Sequence, residues 1–181
     1  MLDALIFLVG TVANLYLAAL LLRFIMQWVR ASYRNPLAQI VQRLTSPVVV
    51  PARRVFPSIA GIDVPTLIVL IALEGVVTYV LIAIVGYTVS IPTLLLLILL
   101  RLVALTLWLY TVALLIYVLL SWFGDRGGNL MGNALAEIVE PVLRPVRRLL
   151  PPIAGLDLSP LLVMLVFQAG IRALDLPPFL R

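Results

Sequence analysis

An all-α membrane protein is the fold class that this sequence predicts. It reads as two tandem parallel repeats, each a transmembrane helix, an interfacial amphipathic helix with a Pro-rich connector, and a second transmembrane helix. Three observations carry the prediction. Of 181 residues, 64% are apolar and 12% charged, whereas soluble globular chains lie near half apolar and a quarter charged. Four apolar stretches, 5–29, 64–89, 93–123 and 158–174, stand near the roughly 20 helical residues that cross a bilayer core of ~30 Å. The sequence also matches itself at an offset of 94 residues.

The first stretch opens with Asp3 where a secretory signal would carry basic residues, and its apolar run continues far past signal length. It therefore reads as a retained span. Trp28 closes it, as Trp122 closes the third, and both read as interfacial anchors. The connector 30–63 holds Arg30, Arg34, Arg43, Arg53 and Arg54 against a single acid, Asp63. Its first half, with Leu37, Ile40, Val41 and Leu44 at helical spacing, predicts an amphipathic helix lying in the membrane interface. Its second half carries Pro47, Pro51 and Pro57. Pro at that frequency predicts a stiff, ordered connector rather than a regular helix. Gly61 permits a turn into the next span, and Asp63 stands where an Asp caps a helix N-terminus.

The second span carries Glu74, an acid at membrane depth. A short turn, 86–92, has no charge and leads into the third apolar stretch. That stretch is too long for one crossing, and Pro92 and Arg101 predict that only its latter part spans. Arg101 is expected to snorkel to the outer headgroups. The connector 124–157 repeats the first, with Arg126, Arg144, Arg147 and Arg148 beside Asp125, Glu137, Glu140 and Asp157. Met131, Ala134, Leu135 and Ile138 repeat the apolar face. The last stretch is short, and is expected to be tilted, met by a thinned bilayer, or extended at its ends.

The repeat is more than shared apolarity. From 15 to 74, 19 of 60 positions are identical to those 94 further on, and they include Trp, Pro, Arg-Arg, Gly and Asp in register. Composition bias yields Leu and Val matches only, so the chain divides into repeats at 1–90 and 91–181. Each repeat holds two spans, an even number, so the copies share one orientation. The positive-inside rule counts Arg and Lys. It places both long loops, 30–63 and 124–157, in the cytoplasm and both termini outside.

Cys, His and Lys are absent, and all thirteen basic residues are Arg. Disulfides, thiol nucleophiles, Cys/His zinc sites and His-ligated haem are excluded by residue type. No nucleophile–base pair or metal cluster is legible, so neither enzymatic activity nor a catalytic, cofactor or metal site is expected. The pI near 10 reflects loop arginines placed by topology, with no direct nucleic-acid binding expected. Intramembrane charge is the sharper signal. Arg23 and Glu74 sit at depths an Arg side chain spans, and at the repeat offset they become Tyr117 and Gln168. The expectation is an Arg23–Glu74 ion pair, with Tyr117 and Gln168 as its uncharged counterpart.

The element common to both copies is N-P…P-x-x-x-P-x-R-R-x-x-P-x-x-x-G-x-D. In the first copy it comprises Asn35, Pro36, Pro47, Pro51, Arg53, Arg54, Pro57, Gly61 and Asp63. In the second it comprises Asn129, Pro141, Pro145, Arg147, Arg148, Pro151, Gly155 and Asp157, with Leu130 in place of the first Pro. A chain with this motif twice resembles the YggT (YlmG) family of bacterial and plastid membrane proteins, over nearly its whole length. The resemblance implies a non-enzymatic membrane role. Bacterial members are linked to osmotic-stress tolerance and cation homeostasis, and relatives to cell division, nucleoid distribution and maturation of a b-type cytochrome. It transfers no catalytic residue. The connector residues read as a surface for membrane lipids or for a membrane-protein partner, and both readings stay open. So do a scaffold role and an ion channel or transporter, which with so few polar side chains per protomer would need a homo-oligomer.

Overall fold

The computed structural model describes residues 2–31, 35–59, 61–123, 130–150 and 157–180. Among these residues there are six α-helices and no strand: α1 Leu2–Trp28, α2 Pro36–Val55, α3 Val64–Val85, α4 Ile91–Phe123, α5 Leu130–Leu149 and α6 Ser159–Ala173. A 3₁₀ turn at Pro178–Leu180 follows. Three helices contain segments long and apolar enough to cross a bilayer: Ala4–Trp28, Val64–Val85 and Ile91–Ser121. Their outward faces are apolar; Phe7, Leu8, Val12, Val76, Ile91 and Leu95 are all exposed. Water would penalise such a surface, whereas lipid matches it. The chain is a membrane protein of helical build.

Of the four expected spans, three are helices of crossing length and the fourth, α6, is a shorter apolar helix. Helix α6 has 15 residues, ~22 Å at the usual rise, less than a bilayer core. Its chain continues as an extended segment and the 3₁₀ turn, with Leu176 and Leu180 buried against Leu81, Ile82 and Leu97. Non-helical backbone at membrane depth is tolerated where protein covers it. Helix α4 corrects the reading of Pro92 and Arg101 as limits on its span. It runs unbroken for 33 residues. Pro92 falls in its first turn, where a missing N–H costs nothing, and Arg101 is ion-paired with Glu74 inside the protein.

A second correction concerns the connectors. Prolines at 47, 51, 141 and 145 were expected to prevent a regular helix, yet α2 and α5 are single 20-residue helices running through them. The physical reason is their spacing. Two prolines four residues apart lie on one face, and in both helices that face is exposed. The carbonyls deprived of partners one turn earlier then lie on the exposed side too, where water or headgroups can satisfy them. The opposite faces, Ala38, Val41, Thr45 and Val49 in α2 and Ala134, Leu135, Ile138 and Leu143 in α5, are buried against the bundle.

Helix α1 packs on α3, and α4 on α6; α2 rests on α1 and α3, and α5 on α4 and α6. Helices α2 and α5 also touch each other, forming a collar at one end of the bundle. Helices α1 and α3 both end in left-handed caps, at Arg30 (φ 54°) and Gly86 (φ 83°). At each, the following amide reaches back five residues, Ala31 N–H to Met26 O and Tyr87 N–H to Ile82 O.

Candidate functional site

Two polar layers lie inside the bundle. The first is in the collar. Asn35 accepts a hydrogen bond from the Leu37 amide at 2.9 Å and caps α2, with Pro36 at the first helical position. The helix then carries Arg53 back to Asp63, with Nη2 donating to Oδ2 at 2.8 Å. Ile62 N–H donates to Ile59 O at 2.9 Å across Gly61, whose φ of 82° suits glycine. Asp63 occupies the cap position of α3, but its side chain bonds no amide there. Instead Oδ2 accepts from the Thr66 hydroxyl at 2.6 Å and lies 3.9 Å from Arg23 Nε. Arg23 Nη1 donates to Thr45 Oγ1 at 2.8 Å. Burial opposes the Asp63 carboxylate, yet the hydrogen bonds from Thr66 and Arg53 and the Arg53 charge hold its pKa below the ordinary value.

The second copy builds the same latch with different neighbours. Arg147 Nε donates to Asp157 Oδ2 at 2.8 Å, and Nη1 to Glu140 Oε2 at 2.7 Å. Tyr117 OH lies 3.5 Å from Arg147 Nη2. Asp157 Oδ1 accepts from the Ser159 amide at 2.9 Å, at the start of α6. Burial again opposes the Asp157 carboxylate, and the Ser159 and Arg147 contacts outweigh it, so its pKa too lies below the ordinary value. The second arginine of each pair, Arg54 and Arg148, is exposed. Pro51 and Pro145 sit on exposed helix faces, and Pro57 is exposed. Asn129, Pro151 and Gly155 lie outside the described residues. Trp28 is exposed at the end of α1, its ring 6.3 Å from that of Phe24; of Trp122 only its backbone place in α4 is described.

The second layer is in the middle of α1, α3 and α4. Glu74 Oε1 receives Arg101 Nε at 2.6 Å and the Thr78 hydroxyl at 3.1 Å. Arg101 Nη2 donates to Asn14 Oδ1 at 2.8 Å. Arg101 is only 5% exposed and Glu74 1%. The expected Arg23–Glu74 pair is thus replaced by two separate constellations. Arg23 turns toward Thr45 and Asp63 in the collar, and the α3–α4 hairpin supplies Glu74 with Arg101. Nor does Arg101 snorkel outward. The uncharged counterpart also differs: Tyr117 faces Arg147, while Gln168 is half-buried on α6.

Asn14, Thr78 and Arg101 are the residues that sequence reasoning missed as partners. A signal was available. Glu74 precedes the end of α3 by about three turns, and Arg101 follows the start of α4 by about three turns. A short turn between antiparallel helices brings such residues to equal depth. Between the two layers lie Leu17, Leu20, Leu21 and Leu70, all buried in one apolar cluster.

This arrangement joins a doubly used Arg–Asp latch to helices of membrane length, and the sequence comparisons follow the same division. The CCB3/YggT family model matches residues 2–95 and again 96–175. The chain belongs to the CCB3/YggT family. Its YggT relatives include a protein named YggT in Escherichia coli K12, 37% identical over 165 residues, covering 91% of this chain and 85% of that one. An uncharacterized protein of Pseudomonas aeruginosa is 38% identical over 167 residues, covering 91% and 85% respectively. The chloroplastic YlmG homolog protein 2 of Arabidopsis thaliana matches over 61 residues at 36% identity, covering 34% of this chain and 24% of its own. No solved structure matches this chain.

Proposed function

We propose that this chain is a non-enzymatic inner-membrane protein that supports osmotic tolerance and cation balance by acting on a partner transport system, without conducting ions itself. The observation that carries the reading is the apolar layer Leu17, Leu20, Leu21 and Leu70 between the collar and the mid-bundle polar groups. A conducting protomer needs polar groups along its path, and here the two polar layers are kept apart. The collar favours a topology. Helices α2 and α5 share one end of the bundle, and with them Arg43, Arg53, Arg54, Arg144, Arg147 and Arg148. The positive-inside rule puts that end in the cytoplasm and the termini outside. Both collar helices at one end also favour two repeats in parallel orientation.

A second reading, a scaffold for division or cytochrome-maturation partners, draws on one feature of the collar. Arg54, Val55 and Phe56 are exposed in the first copy, and Arg148, Leu149 and Leu150 in the second. Basic and apolar side chains side by side suit phosphate headgroups with an interfacial bilayer, or a docked protein.

The test has two arms. In the first, potassium and sodium flux is measured in proteoliposomes of the purified protein. The expected result is no flux above empty vesicles; flux lost in Glu74→Gln overturns the non-conducting reading. In the second, cell potassium and sodium are followed after hyperosmotic shift in a deletion strain, with and without the restored gene. A restored shift in cation content is expected. Unchanged cation content and growth would remove the osmotic role and leave the scaffold.

A further inference from the structure

Two cavities, of about 290 and 400 Å³, open beside Arg101 and share Thr11, Asn14, Arg101 and Leu180 in their walls. They meet at a guanidinium whose bonding is incomplete. Nε and Nη2 are used by Glu74 and Asn14, but Nη1 is buried with no hydrogen-bond partner among the described residues. A buried unpaired donor is costly and calls for an acceptor.

We propose that this cavity binds a neutral, carbonyl-bearing lipophile of the membrane-quinone class, with a ring carbonyl oxygen accepting from Arg101 Nη1. The inference goes beyond the transport-support reading and does not rest on it. Charge selects the ligand first. Glu74 already neutralises Arg101 at 2.6 Å, so a carboxylate or phosphate would bring uncompensated charge to low-dielectric surroundings. A neutral acceptor completes the site without that penalty. Other polar groups in the walls of the first cavity, the Asn14 amide, Thr11 hydroxyl and Trp108 indole, can all donate.

Depth selects next. Glu74 lies near the middle of α3, about 15 Å from either end, in a core of ~30 Å. A phospholipid's ester carbonyls are held at the interface by its headgroup and do not reach that depth, while its acyl tails carry no acceptor. A lipid-soluble quinone brings a carbonyl to mid-membrane on an apolar body. Size and lining agree. Leu105, Leu176 and Leu180 wall the first cavity, an apolar surface that does not retain a cluster of waters, and its volume approaches that of small-molecule pockets. Trp108 offers a flat face for a planar ring.

The experiment uses the full chain in phosphatidylcholine nanodiscs. Ubiquinone-2 is titrated while tryptophan fluorescence is followed, with Trp108→Phe identifying the Trp108 contribution. The same ring with both oxygens methylated, which lacks carbonyls, and decanoate serve as comparison ligands. Saturable quenching by ubiquinone-2 is expected. It should be weakened about tenfold or more, as loss of a buried hydrogen bond or of cavity space implies, for the methylated ring and in Ala104→Phe, which fills the cavity beside an intact Arg101–Glu74 pair. Non-saturable quenching, equal affinity for the methylated ring, or saturable binding of decanoate alone overturns the proposal. The wild-type comparison of the two rings decides the matter even where Ala104→Phe fails to fold. Mass spectrometry of solvent extracts from the purified protein adds a second arm: a retained quinone supports the site, and phospholipid as its sole stoichiometric occupant overturns it.

Discussion

The two collar latches share a sequence motif and a bond, Arg53–Asp63 and Arg147–Asp157, each at 2.8 Å, but their surroundings are of opposite electrostatic character. The first places two cations, Arg23 and Arg53, around one carboxylate whose side chain is fully buried. The second places two carboxylates, Asp157 and Glu140, around one arginine, with all three side chains about one-third exposed. The exchange is residue by residue at the repeat offset. Arg23 becomes Tyr117, Ser46 becomes Glu140, and Thr66, which bonds Asp63, becomes Pro160. One duplicated geometry has therefore become a buried, desolvated lock on one side and a solvated contact on the other. The lesson is that motif identity predicts which residues meet, while burial decides how much the meeting is worth.

The comparison can be broken most forcefully at the two aspartates. Asp63→Ala leaves Arg53 and Thr66 without their shared acceptor and removes the carboxylate 3.9 Å from buried Arg23, and should cost about 3–5 kcal/mol. Asp157→Ala, at a partly solvated site, should cost about 1 kcal/mol or less. Denaturant titration in mixed micelles reads both; equal costs would mean that burial does not separate the latches. Next in size is Thr66→Val, which removes a hydrogen bond to a buried charged group and should cost about 1.5–3 kcal/mol by the same titration.

Acid sharpens the contrast further. Both carboxyls have folded pKa values below the unfolded one, so the folded state binds fewer protons at these sites. The stabilisation is present above the ordinary aspartate pKa of about 3.9 and is lost as pH falls through the folded values. Melting temperature should be level from neutral pH to about 5 and fall below about 4. Asp63→Asn and Asp157→Asn should each flatten that fall; an unchanged acid limb in both would remove the latches as its source. Glu140→Ser makes the second latch resemble the first in composition and should change stability by less than about 1 kcal/mol. Smallest of all, Arg54→Gln and Arg148→Gln at exposed positions should stay within about 0.5 kcal/mol of wild type.

Much of this was legible beforehand, where the cause is local. Apolar length marked α1, α3, α4 and the shorter α6. Leu37, Ile40, Val41 and Leu44 at helical spacing marked the first half of α2, and Gly61 marked the turn into α3. The motif set Arg53 and Asp63 ten residues apart, twice, although their bonding to each other is a product of the fold. Proline frequency alone argues against helical connectors; its i, i+4 spacing on an exposed face is what lets α2 and α5 continue. Glu74 is legible as an ionisable group at membrane depth, but within its own repeat the Arg at matching depth is Arg23. Its partner lies across the repeat boundary, on α4, with Asn14 of α1 completing the set.

The sequence by itself determined that this is a helical membrane protein, with a duplicated motif and with charges at membrane depth. Those properties follow from transfer free energies and chain periodicity, which each segment carries alone. The tertiary structure decided which charges meet. A span's periodicity says which face is buried but not what that face is buried against. Only the packing of α1, α3 and α4 sets Arg101 rather than Arg23 on Glu74, leaves Arg101 Nη1 unpaired beside a cavity, and buries one latch while leaving its copy in contact with solvent.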